Sequence, residues 1–378
     1  MAEKLYCPDL WHKWIRKMGM RLFKYILIIA PLLLSACSND EQQAASLTDK
    51  SIKIELSGGE RNISRAYLIN GNDAIYDKGE FTLDAYNNKD NSIYINEGWI
   101  YLFNGNWRFR DVVNQGNLID FYWPNDNDVN FLAYLPHDLS KSVVKREDIT
   151  YDTNEGVKFS AEMPTVIDYA TKADTIAENL TRQEFIYACR LNQNYESDEG
   201  HVKLRFVHPF AVINFHLLQA HRDLTINSIT LHNVDNRGLF TCIQDTYEYY
   251  KQGNEGQEYL THDNWDTENP STFAVNLNKT VPEDGINYES HLGGPFMVIP
   301  QNLDGITLSV NYSWDTKENE ETNKVYIKTE GIPYWEPGKR YTYLLNLGDN
   351  LEEILFKVIV EPWDAIEDDG YENKYDVK

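Results

Sequence analysis

Cysteine is scarce in this sequence: the 378 residues contain four, Cys7, Cys37, Cys189 and Cys242. None of them stands in a Cys-x-x-Cys pair, the spacing that redox motifs and many metal sites use. Cys189 and Cys242 are far apart in the chain, and although they could form one disulfide in an oxidising compartment, nothing in the sequence requires it. We therefore expect two buried thiols.

Basic side chains are also few, with 35 Lys and Arg against 59 Asp and Glu and a net charge of −24. Residues 1–36 hold six basic and two acidic side chains, so the chain that begins at Cys37 carries −28. A surface this acidic repels nucleic acid and anionic lipid. The charge balance argues against nucleic acid as a partner and suits a surface protein.

Motifs that carry enzyme chemistry are missing. The sequence has no Gly-x-Ser-x-Gly elbow, no phosphate-binding glycine loop and no His-Glu-x-x-His pair. Asp126 and Asp128 alternate as at the start of a calcium loop, but its glycine and distal glutamate are absent, so we interpret them as turn residues. His208 precedes a proline, which cannot donate to a sheet ladder, and is interpreted as a bulge residue. We expect no enzyme activity, no metal site and no cofactor.

Long amphipathic helical patterns are scarce as well, whereas aromatic residues make up 13% of the chain. Aromatic side chains suit the half-buried surface of a pleated sheet. Many short alternating runs are separated by Asn, Asp and Gly turns, without a repeating strand–helix–strand order. The sequence predicts an all-β fold of two tandem Greek-key β-sandwich domains, at 51–199 and 200–378, with 192–200 as the boundary. For 182–190 a strand and a helical turn both remain open.

The N-terminus has the pattern of a bacterial lipoprotein signal peptide at 1–36. Arg21 and Lys24 precede an apolar run at 25–34, which is too short to span a bilayer once a cleavage site follows it. Leu-Ser-Ala-Cys at 34–37 then fits a lipobox, because signal peptidase needs small side chains before the cut and the thiol of Cys37 must be free to receive diacylglycerol. Met18 and Met20 offer more conventional starts than Met1.

A lipidated tether is predicted at 37–50. Ser-Asn-Asp-Glu follows Cys37, and the next residues are polar. Acidic residues at this place resemble the signal that exports lipoproteins to the outer leaflet, although they are equally common in any solvated linker.

The end of the chain is predicted to be a β-hairpin. Pro337-Gly338 has the chemistry of a type II turn, and alternation follows it over 341–347. The partner strand at 354–363 is apolar on both faces, interrupted by Lys357, so it needs a cover on both sides. One of its faces consists of Ile354, Phe356, Val358 and Val360.

Four stretches together resemble the fimbrillin-like family of Bacteroidota surface lipoproteins, which includes subunits of type V pili. The C-terminal hairpin follows Tyr-Trp-Glu-Pro-Gly-Lys-Arg-Tyr-Thr-Tyr at 334–343. The others are an aromatic-Trp-Pro turn leading into Val-x-Phe-x-Ala-Tyr-x-Pro, at 121–136, and the stretches 206–215 and 296–301. The resemblance covers most of the mature chain and implies transthyretin-like sandwiches.

The resemblance also implies a route of assembly. An Arg-specific protease would cut at Arg65, or at Arg61 as a second candidate, remove the first strand with its lipid, and empty a groove. Another subunit would fill that groove by strand addition, with Ile354, Phe356, Val358 and Val360 as the donor residues. Implied partners are other fimbrial subunits and the outer membrane, reached through the lipid anchor. The alternative for Arg65 is an ordinary surface charge on a strand.

A second hypothesis keeps the chain as a monomeric surface lipoprotein. It would bind a glycan or another ligand of a host or bacterial surface through exposed aromatics, with the predicted loop containing Tyr247, Tyr249 and Tyr250 as the candidate.

Overall fold

The computed structural model describes much of the chain from Lys53 onward. The described residues are 53–56, 80–103, 106–110, 118–119, 121–124, 127–168, 185–197, 201–220, 224–251, 259–281, 291–314, 321–326, 332–347 and 354–362. The predicted signal peptide and tether lie outside them, as do Cys37, Arg61, Arg65 and Asp126.

Strands account for most of the described residues. The first ten are β1 (Lys53–Leu56), β2 (Glu80–Asn87), β3 (Ile93–Phe103), β4 (Asn106–Arg110), β5 (Leu118–Ile119), β6 (Val129–Leu135), β7 (Thr150–Asp152), β8 (Gly156–Glu162), β9 (Val166–Asp168) and β10 (Ile186–Gln193). The others are β11 (His201–Leu204), β12 (Ala211–Ala220), β13 (Leu224–Cys242), β14 (Trp265–Val281), β15 (His291–Val298), β16 (Thr307–Trp314), β17 (Glu321–Tyr326), β18 (Lys339–Leu347) and β19 (Ile354–Pro362).

Helical structure is short wherever the chain is described. It consists of 3-10 turns at Leu139–Lys141, Arg146–Asp148 and His262–Asn264, and of the α-helix α1 at Thr246–Lys251. Within these described parts, no helix has the length and apolar character needed to cross a membrane.

The strands form three main sheets and one small pair. The N-terminal sheet has the order β10-β6-β2-β3-β4-β5, the hairpin sheet the order β15-β12-β18-β19, and the long sheet the order β17-β16-β13-β14-β9 with β8 and β7 attached to β13. The pair consists of β1 and β11. The predicted all-β sandwich class is confirmed.

The hairpin sheet and the long sheet enclose the first hydrophobic core. Alternate residues of β12 and β18, such as Phe215 and Tyr343, meet inward-facing residues of the long sheet, such as Leu231 and Val310. Each of these four side chains is buried. Burial of one strand face against another sheet is what the period-two alternation of these segments indicates.

The second hydrophobic core lies against one face of the N-terminal sheet. Tyr134 and Tyr187 from that sheet pack in it with Phe159 of β8 and Phe240 of β13. The rings of Phe159 and Phe240 are stacked with their centroids 4.6 Å apart. This core therefore joins strands from early and late parts of the chain.

Two strands that precede residue 199 pair with strands that follow it, while the division into domains at 199/200 stays a prediction. β8 pairs antiparallel with the end of β13, and β9 pairs parallel with β14, although both precede residue 199. The polar stretch 192–200 contains a turn after β10, in which the Asn194 side chain accepts hydrogen bonds from the backbone N–H groups of Glu196 and Ser197, both at 3.0 Å. An Asx turn of this type is as polar as a linker, so composition alone does not distinguish the two.

Other local expectations are refined. The open stretch 182–190 contains the start of β10, so a strand is the answer from Ile186 onward. β3 runs from Ile93 to Phe103 as one strand, with an irregular register beside Glu97, whose φ is 50°.

Candidate functional site

The C-terminal hairpin forms as predicted. β18 and β19 pair antiparallel over nine residues, from Lys339 opposite Pro362 to Leu347 opposite Ile354. β18 also pairs in parallel with β12, which leaves β19 at the end of the hairpin sheet among the described strands. Such an edge presents unpaired backbone groups to which another strand can add.

The register places the candidate donor residues opposite the buried face of β18. Val358 lies opposite Tyr343 and Val360 opposite Tyr341, while Phe356 and Ile354 lie opposite Leu345 and Leu347. Val358 packs against the first core, whereas Val360 is 41% exposed. Their role as donor residues stays a prediction.

The turn before β18 is anchored by buried polar contacts. The indole N–H of Trp335 donates to Tyr343 Oη at 2.8 Å, and the backbone N–H of Glu336 donates to Tyr341 Oη at 2.7 Å. Gly338 has a φ of 68°, as the third residue of a type II turn requires. Its N–H donates to the Phe210 carbonyl at 2.8 Å. These bonds fix where β18 begins.

The strand that precedes both candidate cleavage sites is β1. It pairs in parallel with β11, Ile54 opposite Val202 and Leu56 opposite Leu204. Val202 and Leu204 are fully buried. Removal of β1 would leave one edge of β11 without its hydrogen-bonding neighbour. The sequence does not predict this pairing, because parallel strands so far apart in the chain have no local signature.

The tyrosines of the predicted aromatic loop are placed differently from the expectation. Tyr247 and Tyr249 lie on α1 and are only partly exposed. The Tyr249 ring packs on Tyr259 with centroids 5.0 Å apart, and the guanidinium carbon of Arg190 lies 4.6 Å from the Tyr247 ring centroid. The side chain of Tyr250 is outside the described residues. Tyr247 and Tyr249 therefore support the protein's own packing.

Two ion pairs to the buried Arg190 hold α1 in place. Arg190 Nη1 lies 2.9 Å from Asp245 Oδ2 and 3.1 Å from Glu248 Oε1, and its side chain is 2% exposed. Asp245 also accepts the backbone N–H groups of Tyr247 and Glu248, both at 2.8 Å. An aspartate before the first helical residue is a common N-cap, and this signal could have identified the helix.

His208 is partly buried, and both described cysteines are buried. Burial, and next the positive charge of Arg340, lower the pKa of His208 to about 3, so this imidazole is neutral at physiological pH. Cys189 and Cys242 are free and buried, which confirms the expectation of two thiols. Burial raises the pKa of the Cys189 thiol well above its usual value. Among the residues that the structure describes, no group of three or more His, Cys, Asp or Glu side chains could hold a metal ion.

A network of charges, not found from the sequence, ties the segment 137–149 to the N-terminal sheet. Arg146 Nη2 lies 3.0 Å from Asp84 Oδ2, and Arg146 Nε lies 3.1 Å from Glu97 Oε1. The Asp84 side chain is 1% exposed, and its Oδ1 accepts the Glu97 N–H at 2.7 Å. Asp84 lies beside apolar residues of β2. A carboxylate in such a strand indicates a buried charge that needs a cationic partner.

Comparisons with known proteins agree with this architecture. A fimbrillin-like family model matches residues 66–363. The crystal structure of a fimbrial protein from Bacteroides vulgatus is similar, with 16% identity, a TM-score of 0.50, and coverage of 83% of this chain and 99% of that one. A C-terminally truncated form of the tip fimbrial protein Mfa3 from Porphyromonas gingivalis is similar too, with 9% identity, a TM-score of 0.39, and coverage of 83% and 100%.

A comparison with curated protein sequences gives no match. The family model nevertheless spans more than half of the chain, including the N-terminal sheet, both hydrophobic cores and the C-terminal hairpin. This protein belongs to the fimbrillin-like family.

Proposed function

We propose that this protein is an adhesion-related fimbrial subunit of the bacterial surface that assembles by strand exchange. In the proposal it is lipidated at Cys37, anchored to the outer membrane, cut after Arg65 or Arg61, and joined to other subunits through 354–360. Family membership supports the fimbrial role, and the pairing of β1 with β11 supports the route of assembly.

The observation that carries the proposal is the position of β1. This strand lies on the N-terminal side of both arginines, so one cut would separate it from the rest of the chain. Its departure would leave the backbone of β11 with an open edge above Val202 and Leu204. An extended segment of another subunit can satisfy such an edge with main-chain hydrogen bonds.

Release of the donor segment from its own sheet costs free energy. β19 is paired with β18 along nine residues, and Val358 covers part of the first core. Exchange therefore requires this ladder to open and an equivalent ladder to form on the acceptor. Cleavage would drive the reaction by making the acceptor edge available.

The first experiment tests cleavage and assembly. The chain that starts at Ser38 is treated with an Arg-specific protease and followed by mass spectrometry and sedimentation. We expect one cut near Arg61 or Arg65, then ordered oligomers. Arg65→Lys and Arg61→Lys keep the charge and remove the protease site, so one of them should block both cleavage and assembly. A cleaved chain that stays monomeric would overturn strand exchange.

A second experiment identifies the donor. Lys203→Cys on β11 and Ile359→Cys on β19 place thiols on the proposed acceptor and donor, each on the strand face opposite the apolar residues that would meet in the groove. We expect an intermolecular disulfide between them after cleavage and none before it. The matched control replaces Lys203→Cys with Lys89→Cys, at an exposed turn position outside β11. Equal cross-linking in the control, or cross-linking without cleavage, would count against 354–360 as the donor.

The lipid anchor has its own test. We expect Cys37→Ser to prevent incorporation of labelled palmitate and to release the protein from the membrane fraction. Persistent labelling would move the attachment to another residue.

The monomeric alternative has lost its main support, because Tyr247 and Tyr249 pack within the protein.

A further inference from the structure

The segment 137–147 covers the second-core face of the N-terminal sheet and encloses a cleft of about 510 Å³. Thr82 and Tyr134 line it from the sheet, Glu97 lines it from β3, and the covering segment supplies the opposite wall. This volume lies within the range of roughly 300–1,000 Å³ that small-molecule sites have.

The base of the cleft is held rigidly. Arg146 joins the covering segment to Asp84 and Glu97 and also donates to the Ile149 carbonyl at 3.4 Å. Burial raises the pKa of Asp84, while the Glu97 N–H and Arg146 act in the opposite direction. Because the polar groups are fixed before a ligand arrives, little conformational entropy is lost on binding.

One wall carries a supported aromatic ring. The His137 ring stacks on Trp99 with centroids 4.6 Å apart and an interplanar angle of 8°, and its Nδ1 lies 2.7 Å from Thr82 Oγ1. Trp99 is itself held by its indole N–H bond to Glu80 Oε2, at 2.9 Å, and by the Arg110 guanidinium 4.4 Å from its ring centroid. Burial lowers the pKa of His137, so this ring is uncharged at neutral pH.

The lining chemistry limits the class of ligand. Carboxylates of Glu97, Asp138 and Glu147 outnumber the cations of the cleft, and Arg146 is already paired with two carboxylates, which disfavours an anion. Leu139 is the aliphatic member of the lining, which disfavours an apolar ligand. Both donors and acceptors line the cleft, and hydroxyl groups are the ligands that can both donate and accept.

We propose that this cleft is a binding site for a neutral saccharide, with Lys145 and Glu147 at its rim contacting sugar hydroxyls and the His137 ring forming part of one wall. This site uses no residue of β1 or β19 and neither Arg61 nor Arg65. Its occupancy does not depend on assembly, so the proposal stands or fails separately from strand exchange.

The test uses the uncleaved chain from Ser38 and ligand-observed saturation-transfer NMR. The probes are maltotriose, cellotriose and N-acetyllactosamine as neutral sugars, with sialyllactose and trigalacturonate as acidic ones. We expect saturation transfer to at least one neutral sugar. Ser140→Trp, at an exposed lining position, should block the cleft and abolish the transfer.

A double variant and a matched control locate the site. Lys145→Ala with Glu147→Ala should weaken the binding about tenfold or more, since each loses a hydrogen bond to a charged group. Lys89→Ala with Glu196→Ala removes the same charges outside the cleft and should leave the affinity unchanged. Absence of transfer to every neutral sugar, transfer that the cleft variants do not alter, or preferential transfer to the acidic sugars would overturn the proposal.

Discussion

At the scale of the residue, the pH response of folding should depend on His208. Its pKa is lowered from 6.5 to about 3 by burial and by Arg340, so the folded state binds fewer protons than the unfolded one. The stability from the neutral imidazole is complete above pH 6.5 and is lost as pH falls towards the folded value, by up to about 1.4 kcal/mol per pH unit. His208→Gln should remove this component of the slope.

The measurement is urea unfolding of the wild type and His208→Gln at about pH 7.5 and about pH 5.5. The stability of the wild type should fall more than that of the variant over this interval. Parallel pH profiles would mean that His208 is not held neutral in the folded protein. His262, whose side chain is 22% exposed and pairs with Glu336, provides a comparison through His262→Gln.

At the scale of the element, β19 should be stabilised unevenly along its length. Val358 packs on the first core, so Val358→Ala should lower the free energy of unfolding by about 1 kcal/mol. Val360 is 41% exposed, so Val360→Ala should change it by less than about 0.5 kcal/mol. Denaturant titration of the uncleaved chain measures both, and equal losses would contradict the observed packing of this strand.

Elements also differ in how well their sequences predicted them. The C-terminal hairpin was predictable because its turn, its alternating first strand and its apolar second strand are local signals. The sequence predicts an exposed loop where α1 lies, because Tyr and Glu residues are common in solvated loops. The buried Arg190, which contacts Tyr247 and Glu248, lies more than fifty residues away in the chain. The pairing of β8 with β13 and the joining of Asp84 to Arg146 depend on distant partners, for which one sequence carries no local pattern.

At the scale of the whole molecule, the second core should couple the early and late strands. Phe159 precedes the expected boundary, Phe240 follows it, and both are fully buried in contact. Phe159→Ala should cost about 3–5 kcal/mol. By hydrogen exchange, peptides of β2 and of β13 should lose protection together. Loss confined to peptides before residue 199 would indicate two independent domains. Val166→Ala, at a 55% exposed position, is the control and should be near neutral.

The neighbours of β12 give the chain a particular order of completion. This strand, at Ala211–Ala220, pairs with β15 and β18, which begin at His291 and Lys339. During synthesis or passage through a membrane, β12 must wait for more than a hundred residues before its second neighbour exists. Contacts across such separations form slowly, because a long loop must close first. Completion of the hairpin sheet is therefore delayed, which favours arrival of the chain at an export channel before it has folded.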